Sequence, residues 1–265
     1  MSQHIPAGLC LGLVLLSPSP VLAGAWTLPE GKGQVVVTGT LSTADKEFNG
    51  SGSARATPRY DKFELQGLIE YGATDRLTLI ASPSLQYVDI EGSTGGQRTG
   101  LGYAEFGGRY LLMQSDSWVL SGQTTLRVPG TFEKTNPAAV GYADPEIDAR
   151  VLLGRSFSAG PWPAFIDLQL AQRFRTGDPP DEFRVDLTFG LRPAPQWLLL
   201  TQSFNVFSEG MGGPAFPSFA YHKFQMSVVY EMTPAWAVQF GAFTTFAGRN
   251  ALQENGLILG TAYKF

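Results

Sequence analysis

Phe63-Glu64-Leu65-Gln66-Gly67-Leu68-Ile69-Glu70-Tyr71 changes polarity almost residue by residue. Phe63, Leu65, Ile69 and Tyr71 share one parity, and Glu64, Gln66 and Glu70 share the other. Successive side chains of a β-strand point to opposite faces, so this stretch builds a strand with one apolar and one polar wall. The pattern recurs at 147–153, 183–189 and 224–231, each time with the charged residues on one parity. Marking every such run predicts about twelve strands. They begin near Gln34, Tyr60, Leu77, Gly100, Trp118, Pro145, Ala164, Glu182, Trp197, His222, Trp236 and Gly256. The ninth, 197–207, has two readings: either Thr201, Ser203 and Asn205 face the polar side, or Gln202 does.

The connections between these runs alternate in length. Short ones fall at 72–76, 113–117, 193–196 and 232–235, with 156–163 somewhat longer. Long ones fall at 43–59, 89–99, 129–144, 208–221 and 247–255, with 175–181 the shortest of them. Short turns at one end and longer loops at the other are the habit of outer-membrane barrels, whose periplasmic turns are tight. The aromatic residues give a second, independent sign. Trp118, Trp162, Trp197 and Trp236 each follow a short connection, and Tyr71, Tyr110, Phe157, Tyr230 and Tyr263 lie near strand ends that lead into that same level. Phe63, Tyr87, Phe174, Phe183, Phe207, Phe224 and Phe246 would mark the opposite rim. Amphipathic rings settle at the two membrane–water interfaces, whereas a soluble sandwich has no reason to sort them into levels. The expected fold is therefore all-β: a closed antiparallel up-and-down transmembrane β-barrel of about twelve strands.

Composition agrees. Only 16% of the 265 residues are charged and the formal net charge is −4, which offers no basic surface for nucleic acid. Glycine is abundant at 31 residues, and mean hydropathy is −0.02, far from that of a helical membrane protein. The apolar run 9–16, followed by Val21-Leu22-Ala23 with small residues at −3 and −1, reads as a secretory signal peptide over 1–23. The barrel would then occupy 24–265, exported to the bacterial outer membrane with lipid as its surroundings. The one cysteine, Cys10, lies inside the leader, so the processed chain would hold no disulfide. In the final strand Leu257, Leu259, Thr261, Tyr263 and Phe265 share a face. A strand of this kind ending in Phe265 resembles the signal that outer-membrane proteins present to the barrel-assembly machinery.

The polar parity is expected to face the lumen. It carries Glu64, Glu70, Glu105, Glu146, Asp148, Asp167, Asp186 and Glu231 beside Arg109, Arg127, Arg150, Arg173, Arg184, Lys223 and Lys264. These side chains either line a narrow water-filled passage for a small solute or pair off to fill a closed lumen. Eight strands are just filled by side chains and sixteen leave an open channel, so twelve stand between the two. The signs nearly balance, so strong ion selectivity is not expected. The loops 43–59 and 208–221, the latter with Met211, Phe216 and Phe219, could fold inward at the mouth.

Catalysis has little support. His222 falls at the long-loop rim with outward parity, and Ser208 or Ser218 could lie near it, but no acidic or amide partner can be identified from the sequence. A metal site is not expected from one mature histidine and no mature cysteine, and no cofactor-binding loop is present.

Two segments resemble the outer-membrane barrels grouped under the MetA-pathway of phenol degradation. They are Glu70-Tyr71-Gly72-Ala73-Thr74-Asp75-Arg76-Leu77-Thr78-Leu79 and Gly100-Leu101-Gly102-Tyr103-Ala104-Glu105-Phe106-Gly107-Gly108-Arg109-Tyr110, the second with Tyr103 where those barrels usually carry Asp. That family is regarded as transporting hydrophobic compounds, so the resemblance implies a porin-like channel for hydrophobic or aromatic solutes. A general similarity to small barrels encoded beside exopolysaccharide synthesis implies the alternative of polysaccharide passage. A structural barrel with a closed lumen is the remaining possibility.

Overall fold

The computed structural model describes residues 24–92, 95–131, 136, 138, 144–212 and 216–265. The predicted leader 1–23 lies outside the described residues. Twelve strands form one closed antiparallel barrel. They are β1 (Gly33–Phe48), β2 (Ala54–Thr74), β3 (Leu77–Ser82 and Ser84–Ile90) and β4 (Gly96–Leu101 and Ala104–Gln114). Then come β5 (Trp118–Val128), β6 (Glu146–Ala159), β7 (Trp162–Arg175) and β8 (Glu182–Ala194). The last four are β9 (Trp197–Ser208), β10 (Ala220–Glu231), β11 (Trp236–Arg249) and β12 (Ala251–Leu252 and Asn255–Lys264). Pro83 interrupts β3 because proline has no N–H to give the ladder. Each strand pairs with its chain neighbours, and β1 also pairs with β12 from Gln34↔Lys264 to Thr43↔Asn255, which closes the ring. Closure matters because lipid offers no partner to a free backbone N–H or C=O.

All twelve predicted runs are strands, but their outer ends run further than the periodicity suggested. The stretch 43–59 is a continued hairpin, with β1 and β2 paired to Phe48↔Ala54 and only 49–53 left as a turn. It is therefore not a loop that can fold inward. The stretch 247–255 is likewise mostly strand, broken at 253–254 and at a tight turn at Asn250, whose φ of 47° an asparagine tolerates. At the other end, 156–163 shrinks to 160–161, with Gly160 at a φ of 62°. The loop predicted at 208–221 runs between Ser208 and Ala220. Glu209 N–H donates to Asp181 O at 2.8 Å and Gly212 N–H to Phe216 O at 3.0 Å, so its start is tied to the neighbouring connection 176–181.

The outer wall is apolar and exposed. Leu65, Leu79, Leu170, Leu199, Phe240 and Leu259 all present their side chains outward. The short-turn girdle is built from ring pairs that the register brings together. Trp197 stands opposite Tyr230, and Trp236 opposite Tyr263, both with centroids 4.7 Å apart. The ambiguous ninth strand is settled by burial: Leu198, Leu200 and Val206 are buried, so Gln202 faces inward and Thr201, Ser203 and Asn205 face outward.

A charge placed at mid-height on this outer wall would sit in hydrocarbon. Leu170→Arg is expected to lower the unfolding free energy by about 2–4 kcal/mol, measured by urea titration in phospholipid vesicles. A cost near zero would mean that this face does not meet lipid.

Candidate functional site

The lumen is built in layers. Nearest the long-loop end, β6, β7 and β8 bring their inward side chains into one ion-pair ladder. Arg175 bonds Glu146 at 2.9 Å and Glu182 at 2.6 Å, while Arg173 bonds Asp148 at 3.0 Å and Glu182 at 3.5 Å. One rung lower, Arg150 bridges Asp148 at 2.6 Å and Asp186 at 2.9 Å. Arg127 links the ladder to β4 through Glu105 at 2.8 Å and also pairs with Glu146. Arg184 joins Glu182 at 3.4 Å. Same-face residues on adjacent strands are neighbours, so charges that alternate along each strand become pairs across the sheet. Burial makes the pairing obligatory: Glu146 and Asp148 are each only 1% exposed.

Across the lumen Lys62 meets Glu64 at 3.1 Å, and Lys223 meets Glu254. These pairs, with Ser42, Gln225, Phe204 and Phe243, line a cavity of about 170 Å³. A larger groove of about 610 Å³ runs over Leu41, Phe63, Tyr87, Ala242 and Leu257, and it reaches Ser42, Lys62 and Phe243 of the same cavity. At the short-turn end Glu231 pairs with Arg192 at 3.0 Å and Lys264 at 3.6 Å.

The lower half of the lumen holds a part of the chain with no strand periodicity. Residues 24–32 enter from the short-turn end as a strap running upward inside the barrel. Glu30 N–H donates to Asp75 Oδ1 at 3.0 Å, and Leu28 N–H to Thr78 Oγ1 at 2.8 Å. Arg109 donates to Trp26 O at 2.9 Å, Ser121 Oγ to Ala25 O at 2.6 Å, and Ala25 N–H to Asp167 Oδ2 at 2.7 Å. Trp26 packs edge-on to Phe165 at 5.9 Å. It joins two apolar clusters, one of Val36, Phe165, Leu198, Leu200, Val229, Ala237 and Ala262, the other of Ala25, Leu111, Val119 and Leu152. Gly154 is required here, since a Cβ would stand 2.6 Å from the Trp26 ring. Below the strap lies a vestibule of about 630 Å³ that includes Leu28, Pro29, Lys32, Gln114 and Phe265 in its lining.

The predicted lumen residues fall in several places and do not form one site. Glu146, Asp148, Arg150, Arg173, Arg184 and Asp186, with Arg127 and Glu105, make the ladder. Glu64 and Lys223 line the upper cavity, and Glu231 stands at the lower mouth. Glu70 pairs with Arg109 at 2.7 Å, and both, with Asp167, serve the strap. Lys62, Arg175 and Glu182 were not among the predicted lumen residues, although each shares the parity of one that was. Trp26, the one tryptophan outside the two-level sorting, was not predicted either.

His222 does have an amide partner, contrary to the sequence expectation: its Nδ1 lies 2.8 Å from Asn205 Oδ1 on the outer wall. Its ring sits between Phe207 at 5.3 Å and Phe246 at 6.0 Å. The amide nitrogen of Asn205 donates to Ser203 Oγ at 3.0 Å, so that serine is held by the amide and not by the imidazole. Among the hydrogen bonds of the described residues, none joins a serine to His222.

Removing one member of a buried pair strands the other. Glu70→Ala leaves the 6%-exposed Arg109 without its carboxylate and is expected to cost about 3–5 kcal/mol in urea unfolding. Glu70→Leu combined with Arg109→Met should recover most of that loss. Equal losses in the single and double variants would show that the pair's charge is not what matters.

No family model matches the chain, and no curated protein matches it. Solved structures do. A COG4313 outer membrane channel from Pseudomonas putida F1 superposes with a TM-score of 0.72 at 17% identity, over 91% of this chain and 98% of that one. The NanC porin gives a TM-score of 0.52 at 11% identity, over 87% and 100%. The translocator domain of the autotransporter NalP from Neisseria meningitidis gives 0.57 at 11%, over 88% of each chain. The chain has the fold of an outer-membrane barrel, of the kind found in channels, porins and translocators.

Proposed function

We propose that this chain is an outer-membrane channel for small solutes, stoppered from the periplasmic side by its own strap. The observation that carries the reading is the nature of the stopper. The lower lumen is closed by 24–32, a segment outside the barrel wall that can in principle leave without breaking the sheet. The wall behind it is polar or charged at Glu70, Thr78, Arg109, Ser121 and Asp167. With the strap gone, these polar groups would line a passage beside the apolar residues that hold Trp26. The short-turn end faces the periplasm by the usual asymmetry of these barrels.

A hydrophobic or aromatic solute is the class we favour. It is implied by the resemblance to the MetA-pathway barrels. Phe204 and Phe243 in the upper cavity support it, as does the apolar groove over Leu41, Phe63 and Leu257, which reaches the same cavity from the lipid side. The ion-paired ladder favours a second reading, a barrel closed for structural reasons, since paired charges fill space and present little free field.

Single-channel recording in planar bilayers separates the two. Intact protein is expected to give small, infrequent steps, and a variant lacking 24–32 larger and steadier ones. Silence from both refolded proteins would leave the structural reading and overturn the channel.

A further inference from the structure

Asp167 is set apart from the other inner carboxylates. It lies on the inward face of β7 and is 1% exposed. Glu70, Glu105, Glu146, Asp148, Asp186 and Glu231 each have a Lys or Arg nitrogen within ion-pair distance. Among the described residues Asp167 has none. It accepts one hydrogen bond from Ala25 N–H at 2.7 Å and one from Gln169 Nε2 at 2.7 Å, both from uncharged groups. A carboxylate taken out of water costs several kcal/mol, and hydrogen bonds from neutral donors offset only part of this.

What stands in front of this carboxylate is residue 24. A Cβ built on Gly24 would lie 3.4 Å from Asp167 Oδ1 and 2.1 Å from Gln169 Nε2. Residue 24 therefore lies beside Asp167, and a side chain there would have to displace the amide end of Gln169. Gly24 is also the residue that follows the small-residue sequence Val21-Leu22-Ala23.

We infer that the missing cation is the α-ammonium of Gly24, created when the leader is removed, and that Asp167 is its receptor. Hydrolysis of the Ala23–Gly24 bond consumes one water. The carbonyl carbon of Ala23 takes the hydroxyl and leaves on the leader as a carboxylate, and the freed nitrogen of Gly24 gains a proton to become –NH3+. Before cleavage that nitrogen is an uncharged amide attached to Ala23. After cleavage it is a full charge with three donors, one residue from the Ala25 N–H that already meets Asp167. The strap gains this ion pair only in the processed chain, so processing adds to the contacts that already seat it. This inference concerns the seating of the strap and holds whether or not a solute passes.

The test is chemical labelling of the α-amine in protein purified from outer membranes, read by mass spectrometry of the first peptide. The mature chain should begin at Gly24. Its amine should react with an N-hydroxysuccinimide ester at least about tenfold more slowly than in Asp167→Asn, a factor equivalent to about 1.4 kcal/mol of extra hold. Asparagine keeps an acceptor for Ala25 N–H and so spares the fold. Should that variant still fail to fold, a chain made to begin at Ala23 moves the ammonium one residue away and should label at the fast rate. A first residue other than Gly24, or equal labelling rates in these chains, would overturn the inference.

Discussion

A chain that crosses lipid as strands must leave no backbone N–H or C=O unpaired, and closing β12 onto β1 meets that demand. The rest of the molecule follows from closure. Once the ring is shut, each strand has one face in hydrocarbon and one in a confined lumen. Alternation of residue type then becomes a sorting of chemistry by environment. Leu170 and Phe240 meet lipid, while Asp148 and Arg173 meet each other across the lumen wall.

A ring of twelve strands is too wide to be filled by its own inward side chains alone, yet narrow enough for opposed charges to reach one another. The chain meets this middle width with two devices. Toward the long-loop end, Arg127, Arg150, Arg173 and Arg175 knit β4, β5, β6, β7 and β8 through shared carboxylates. Toward the short-turn end, Trp26 supplies what the wall lacks, joining inward apolar residues from both sides of the barrel. The strap is held partly by packing and partly by Arg109 and Asp167, two charged residues that the ladder does not use. The lower lumen is thus occupied through a small set of contacts that lie outside the sheet.

Much of this is legible in the sequence because the membrane imposes a simple rule. Parity alone puts Glu70, Arg109, Asp148 and Arg173 inside, and the spacing of Trp118, Trp162, Trp197 and Trp236 marks one interface. What parity does not convey is how far a strand continues past the lipid. Thr43–Phe48 still pairs with β2 although the alternation of apolar and polar residues fades there. Nor could it settle β9, where Thr201, Ser203 and Asn205 are polar on the outward face. The strap was invisible for a related reason. Residues 24–32 have no period, since an irregular segment inside a barrel takes its partners one at a time from several strands. The pairing of His222 with Asn205 likewise needed the register of β9 with β10, which no local pattern supplies.

The central claim is that 24–32 is seated inside the barrel as part of its folded core. Hydrogen exchange of the refolded processed protein, followed by mass spectrometry, tests it most directly. Ala25 and Leu28 N–H groups donate to Asp167 and Thr78, so their peptide should exchange as slowly as those of the barrel strands. Exchange of that peptide at the rate of an exposed loop would contradict the account.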